Sequence, residues 1–366
     1  MDTDPYRDIC FHRNINGHSD ADRHPPDIDR NFHIKSDRKS HRVVHPDPST
    51  SPTVIIPLTS TPTVTITPSL FAVLAPGTQP FGGRTLHASC VFDNKMWVIA
   101  GEQAGLSCHD PGDRNDVWSS VDGSNWNAAT TAASFCVRTS HACVVFNNKM
   151  WVIAGINSYN GVYLNDVWSS SDGVSWSLAT SNAAFCPRYH HQVVVFDAGR
   201  GPEMWVIGGY SGSVNLPDVW HSLDGVTWTQ ATTSAAFGPR QGHTVLAFQN
   251  KMWVICGAGG ALTSDVWSSS DGVDWTKVTT AAAFPARSFH TSLVYNGEMW
   301  VIAGMGNGTP FSDAWHSPDG VQWTEATNSA GFPPRAWHTS VVLNDEMWVI
   351  DGQGAGIPFA DVWHMP

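Results

Sequence analysis

What the chain has little of narrows its partners first. Among 366 residues, Lys and Arg number 20 against 32 Asp and Glu, a net charge of -12, so no basic surface is on offer to phosphates or to an anionic membrane. Nucleic acid and lipid headgroups are set aside as ligands. No stretch approaches the roughly 20 consecutive apolar residues of a spanning helix, and the opening MDTDPYRDICFHRNINGHSD has no apolar signal core. The expectation is a soluble chain without an export signal or membrane span. The seven Cys follow no paired spacing and include no C-x-x-C, which leaves neither a zinc signature nor a disulfide framework to read. No metal and no cofactor is expected.

Two textures divide the chain. Residues 1–45 are rich in Asp, Arg and His and poor in large aliphatics, so they cannot bury enough apolar surface to offset the entropy of ordering. They are expected to be a disordered charged tail, its six His (His12, His18, His24, His33, His41, His45) solvated. Residues 46–69 alternate Pro with Thr and Ser, which favours extended backbone and reads as a linker. Such linkers commonly tether exported domains, which points to an extracellular or cell-envelope setting despite the missing signal core.

From Arg84 onward a period takes over. Arg84, Arg138, Arg188, Arg240, Arg287 and Arg335 are each followed three residues later by a His: His87, His141, His191, His243, His290 and His338. Next comes Met-Trp-Val-Ile, with its Trp at 97, 151, 205, 253, 300 and 348, then Gly at 101, 155, 209, 257, 304 and 352. Asp-Val-Trp (once Asp-Ala-Trp) follows, and five copies continue through Asp-Gly to a further Trp. Of the 18 Trp, only Trp337 falls off this pattern.

Each unit reads as four short strands. In the second copy these are HACVVF, MWVIAG, DVWSSS and SWSLAT, with Asx and Gly between them where tight hairpins need positive φ. Six units of about 50 residues predict an all-β, six-bladed propeller over residues 70–366, its four-stranded antiparallel blades packed face to face. A buried Trp removes about 200 Å² from water, at most about 5 kcal/mol gross, so the repeated indoles are expected between blades. The sixth copy stops after its third strand. Its missing outer strand is expected from residues 70–76, which align with the other fourth strands if Ala72 takes the place of their Trp.

The R-x-x-H opening, the Gly closing the second strand, the Asp-Val-Trp of the third and the Trp of the fourth resemble the kelch family of propellers, to which galactose oxidase also belongs, over about 285 residues. Two departures stand out: only Gly208-Gly209 keeps the family's glycine pair, and Trp replaces its usual Tyr. The S-S-S-D-G-V-S-W hairpin is similar to a shortened Asp box, a structural turn. The resemblance implies that the first strands line a central channel. The six Arg and six His then read as repeat-consensus residues, the Arg paired with the six Asp of Asp-Val-Trp.

A specific ligand is not sixfold symmetric, so candidate recognition residues are those that differ between copies. Between each Arg and His lie two variable residues, among them Tyr189, His190, Phe289 and Trp337. The loops after the second strand vary as well, and offer Glu102, Gln103, His109, Tyr159, Tyr163 and Tyr210. Flat aromatics stack on peptide side chains and on sugar rings, so the expected ligand is a protein or a glycan, held by a monomeric, non-enzymatic module. Asp110, Asp113 and Asp116 match no EF-hand spacing. The resemblance also admits carbohydrate chemistry on such a ring, either a sialic-acid mutarotase or a galactose-oxidase-like copper oxidase. The latter would need a cross-linked Tyr, further ligands and an additional domain.

Overall fold

The computed structural model describes residues 70–75, 79–103, 112–356 and 358–365; the tail and linker expected over residues 1–69 lie outside them, as does His109. Among the described residues there is no helix. Six four-stranded antiparallel blades are formed. Their first strands are Ala88–Phe92, Ala142–Phe146, Gln192–Asp197, Thr244–Phe248, Thr291–Tyr295 and Thr339–Leu343, and these neighbour one another in cyclic order, the sixth returning to the first. Pairs such as Asp93-Asn94 and Asn147-Asn148 turn the first strand into the second at φ of 48 to 56°, the left-handed values that two-residue hairpins require and Asx tolerates.

The ring closes as the repeat phase predicts. Ala72–Ala75 pairs antiparallel with Val362–Met365 as the outer strand of the sixth blade. Its register corrects the alignment by one residue. Ala72 faces His364 as Ser177 faces Ser169 in the second blade, so Phe71, not Ala72, takes the place of the fourth-strand Trp. Phe71 is 0% exposed and packs on Phe332 at 5.3 Å, as Trp176 packs on Phe135 at 5.2 Å.

The core is six apolar layers, one per blade interface. Between the first two blades, Cys90, Phe92, Trp97 and Ile99 meet Met150, Val152 and Trp176. Five of the six second-strand indoles reach the Asp-Gly hairpin of the next blade; the sixth, Trp300, faces the blade whose outer strand comes from the other end of the chain. A Cβ added to Gly173 would stand 2.1 Å from the Trp97 ring, and Gly225 meets Trp151 in the same way. These turns therefore demand Gly for the space as well as for φ. The hairpin is self-wired: Gly173 N–H donates to Ser170 Oγ, Val174 and Ser175 N–H donate to Asp172 Oδ1, and Trp176 Nε1 donates to Gly173 O. The Ser175 and Val174 N–H bonds hold the Asp172 carboxyl below its ordinary range against the opposing pull of burial.

The outer edge of the buried second-strand Trp is covered in two ways. Lys95 and Lys251 lie over Trp97 and Trp253. In the third, fifth and sixth blades a Glu takes the Lys position and a third-strand His stacks on the indole instead, as His221 does on Trp205 at 4.9 Å with Glu203 beside it at 3.2 Å.

Candidate functional site

The six Arg are spent on structure. Arg188 donates through Nη1 and Nη2 to Asp218 Oδ1 and Oδ2 at 2.7 and 2.8 Å, and through Nη1 to Gly208 O at 2.9 Å. It also stacks on Phe185. The other five repeat the forked pair with Asp116, Asp166, Asp265, Asp313 and Asp361 inside their own blades. The guanidinium fork matches the carboxylate plane, and the extra carbonyl bond uses a donor that burial would otherwise orphan.

The six His line the channel wall and are buried. Nε2 of His87, His290 and His338 meets the hydroxyl of Thr339, Thr244 and Thr291 on the preceding blade, at 2.8 to 3.0 Å. Burial, reinforced by the Arg three residues earlier, pushes His141, His243 and His338 down to about 3 and His87, His191 and His290 well below the ordinary imidazole value. They are neutral at physiological pH; His87, His290 and His338 pin one blade to the next, while both ring nitrogens of His141, His191 and His243 lie buried without a hydrogen-bond partner.

Two bands of backbone bonds tie the blades at this end. The second-strand glycines donate across each interface, Gly155 N–H to Arg188 O at 2.9 Å and likewise around to Gly352 N–H and Arg84 O at 3.1 Å. The second band is built by the residue just before each wall His. Leu86, Ser140, His190, Gly242, Phe289 and Trp337 all hold φ between 54 and 61°. Each donates its N–H to the carbonyl of the equivalent residue one blade back, at 2.8 to 3.3 Å, and Leu86 closes the circle on Trp337 O. Backbone alone makes this girdle, so its side chains are free to differ.

The glycine pair has a related explanation. The first of its two positions holds Ala100, Ala154, Gly208, Cys256, Ala303 and Asp351, all at φ of 52 to 58°, which a small residue bears at modest cost. The second cannot vary: a Cβ on Gly101 would lie 2.6 Å from the His87 Cβ. Asp351 is the outlier. It is 0% exposed, neither carboxylate oxygen has a hydrogen-bond partner, and burial raises its carboxyl well above the ordinary range.

On the girdle sits a row of rings. Tyr163 stacks on Tyr189 at 5.5 Å and 8°; Tyr189 meets Tyr210 edge-on at 5.5 Å and His190 at 4.6 Å; His190 meets Phe289 at 4.8 Å; Phe289 meets Trp337 at 5.3 Å. The row thus crosses from the second blade to the sixth. It passes the fourth blade because Gly242 leaves room: a Cβ there would stand 2.8 Å from the Phe289 ring. Gln241 Oε1 holds His190 Nδ1 at 3.0 Å. Burial takes His190 down to about 4 against that bond, and takes the Tyr189 phenol up to about 12, helped by Tyr163 and Tyr210. Tyr189 and His190 are therefore uncharged at neutral pH.

Six of the sequence candidates (Tyr163, Tyr189, His190, Tyr210, Phe289 and Trp337) are brought together in this row. Glu102, Gln103 and Tyr159 stand apart from it, on the first two blades. Gln103 pairs with Arg84 along the backbone and accepts from Arg114 Nε at 2.9 Å. Glu102 faces Asp113 across the sheet, and burial followed by that neighbour raises its carboxyl. Tyr159 is 65% exposed at the tip of a loop that Asp113 fastens, its Oδ2 accepting from Ser158 N–H at 2.6 Å. Asp113, Gln241 and Gly242 support this end of the molecule without any motif in the sequence to mark them. Among the described residues no group of three or more His, Cys, Asp or Glu is placed to hold a metal.

A family model described as the KLHDC2/KLHL20/DRC7 Kelch-repeats domain matches residues 141–352, from the second wall His to the Gly that ends the last second strand. No curated protein matches the chain.

Proposed function

The chain belongs to the kelch-repeat family, and from that membership we propose that it is a non-enzymatic interaction module whose partner protein docks across the channel mouth on the row from Tyr163 to Trp337. The observation that carries this reading is the uninterrupted contact of six rings on a girdle whose backbone bonds do not depend on them. Rigid aromatic side chains with two torsions lose little entropy on binding, which suits them as anchors. The chain's net charge of -12 favours a partner of opposite charge. On the same reading residues 46–69 tether the propeller. The groups an acid–base reaction would draw on are engaged elsewhere: the Arg are forked onto Asp and the wall imidazoles are too weakly basic.

The test is affinity capture with the full chain as bait, followed by titration of the purified captured protein. Wild type is expected to bind it, and the Tyr189→Ala, Trp337→Ala double variant to bind at least 10-fold more weakly at unchanged melting temperature. Unchanged affinity in the folded double variant would refute the docking face. Binding confined to a glycan array would replace the protein by a sugar.

A further inference from the structure

Below the girdle the first strands face one another through two positions per blade. The second residue past each wall His is Ser89, Cys143, Val193, Val245, Ser292 or Ser340, and the residue after it is Cys90, Val144, Val194, Leu246, Leu293 or Val341. The first kind meets the second kind of the preceding blade: Val193 packs in one layer with Val144, and Val245 with Val194. At one interface of the six, between the first and second blades, both positions are Cys. Cys143 Sγ stands 3.0 Å from Cys90 Sγ, closer than two sulfurs come in plain van der Waals contact, and both thiols are free. A bond at about 2.05 Å needs them to close by roughly 1 Å. Cys90 is 8% exposed, but Cys143 is only partly buried and lines the central channel, a cavity of about 200 Å³. Such a space admits water-sized molecules and shuts out a protein oxidoreductase.

We propose that Cys90 and Cys143 are a redox-active pair which hydrogen peroxide, entering by the channel, converts to a disulfide joining the first two blades. The Cys143 thiolate attacks one peroxide oxygen. The O–O bond breaks, the departing hydroxide takes up the thiol's proton and leaves as water, and Cys143 is left as a sulfenic acid. Cys90 sulfur then attacks the Cys143 sulfur; the S–O bond breaks, the S–S bond forms, and the second water leaves with the Cys90 proton. Two thiols and one peroxide become one disulfide and two waters, the two sulfurs losing two electrons to the peroxide. The hydrogen bond to Cys90 and burial hold the Cys143 thiol above its ordinary range, which makes the first step slow at neutral pH. The product links two blades that otherwise share only packing at this depth, under the loops that carry Glu102, Tyr159 and Tyr163.

The full chain, reduced with dithiothreitol, desalted and treated with hydrogen peroxide, is followed by intact mass and a non-reducing peptide map. The expected result is a Cys90–Cys143 linked peptide two hydrogens lighter than its two reduced parts and reversed by dithiothreitol, and a melting temperature higher by about 5 °C. Cys90→Val and Cys143→Ser, each the residue of an equivalent position in another blade, are expected to fold, and to lose the linked peptide and the thermal shift. Three outcomes each overturn the proposal: both sulfurs still alkylated by iodoacetamide after peroxide, both recovered as sulfinic acid without a link, or either one linked to a different cysteine.

Discussion

Adjacent residues His190 and His191 show two regimes in one molecule. His191 belongs to the channel wall, where six copies carry the same side chain, buried and driven neutral. His190 belongs to the rim, where Leu, Ser, His, Gly, Phe and Trp occupy one backbone conformation. The wall uses its side chains as buried packing, three of them also hydrogen-bonded across to a Thr; the rim is held by backbone N–H to C=O bonds and needs no side chain of its own. Invariance and variation therefore lie one residue apart because the wall is filled by buried side chains packed against the second-strand glycines, Gly209 against His191 among them, and the rim is held by backbone alone.

The largest effect expected from this contrast is on the wall, with acid. All six imidazoles are depressed in the folded state, so below the ordinary value near 6.5 the unfolded chain takes up protons that the folded one refuses. Stability is complete above that pH and falls as pH drops, by about 1.4 kcal/mol per pH unit for each imidazole that the folded state keeps neutral. Urea unfolding at pH 7.5, 6 and 5 is expected to show a steep loss beginning near pH 6, well above the carboxylate range. A flat profile to pH 5 would mean that the wall is not buried as described.

Next in size is Arg188→Ala, which leaves the Asp218 carboxylate, 10% exposed, without its fork. A loss of about 3–5 kcal/mol is expected by denaturant titration, against less than about 1 kcal/mol for the rim variant Trp337→Ala. Asp351→Gly reverses the sign. It removes a buried unpaired carboxyl and a left-handed non-glycine residue, and a gain of about 1–3 kcal/mol is expected at pH 7. Because the folded carboxyl is raised, its cost is present above the ordinary carboxylate range and fades on acidification. The smallest effect is on the outer edge: the paired exchange Glu298→Lys with His316→Ser converts the fifth blade to the Lys-on-Trp cover and should stay within about 0.5 kcal/mol, with Glu298→Lys alone costing more.

The period made the blade count, the closing strand and the Arg–Asp pairing legible, because each depends on one residue type at a fixed phase. The Phe71 register was missed by one residue since the outer strands bulge, between Val73 and Ala75 as between Leu178 and Thr180, and a bulge leaves no mark in composition. Tyr163, Tyr189, Tyr210, His190, Phe289 and Trp337 were legible as variable aromatics. Their contact was not, since it depends on a left-handed girdle that Phe and Trp do nothing to announce and on the space at Gly242. Gln103 looked free because its Arg114 partner lies beyond the loop. Cys90 and Cys143 showed no pairing because they meet across an interface 53 residues apart.

Melting temperature and partner affinity measured side by side on His190→Gly and His191→Ala test the division most directly. The account predicts that His190→Gly, which suits the left-handed backbone, melts within about 2 °C of wild type and binds several-fold more weakly, while His191→Ala melts at least about 5 °C lower. Equal destabilisation by the two, or wild-type affinity in His190→Gly, would contradict it.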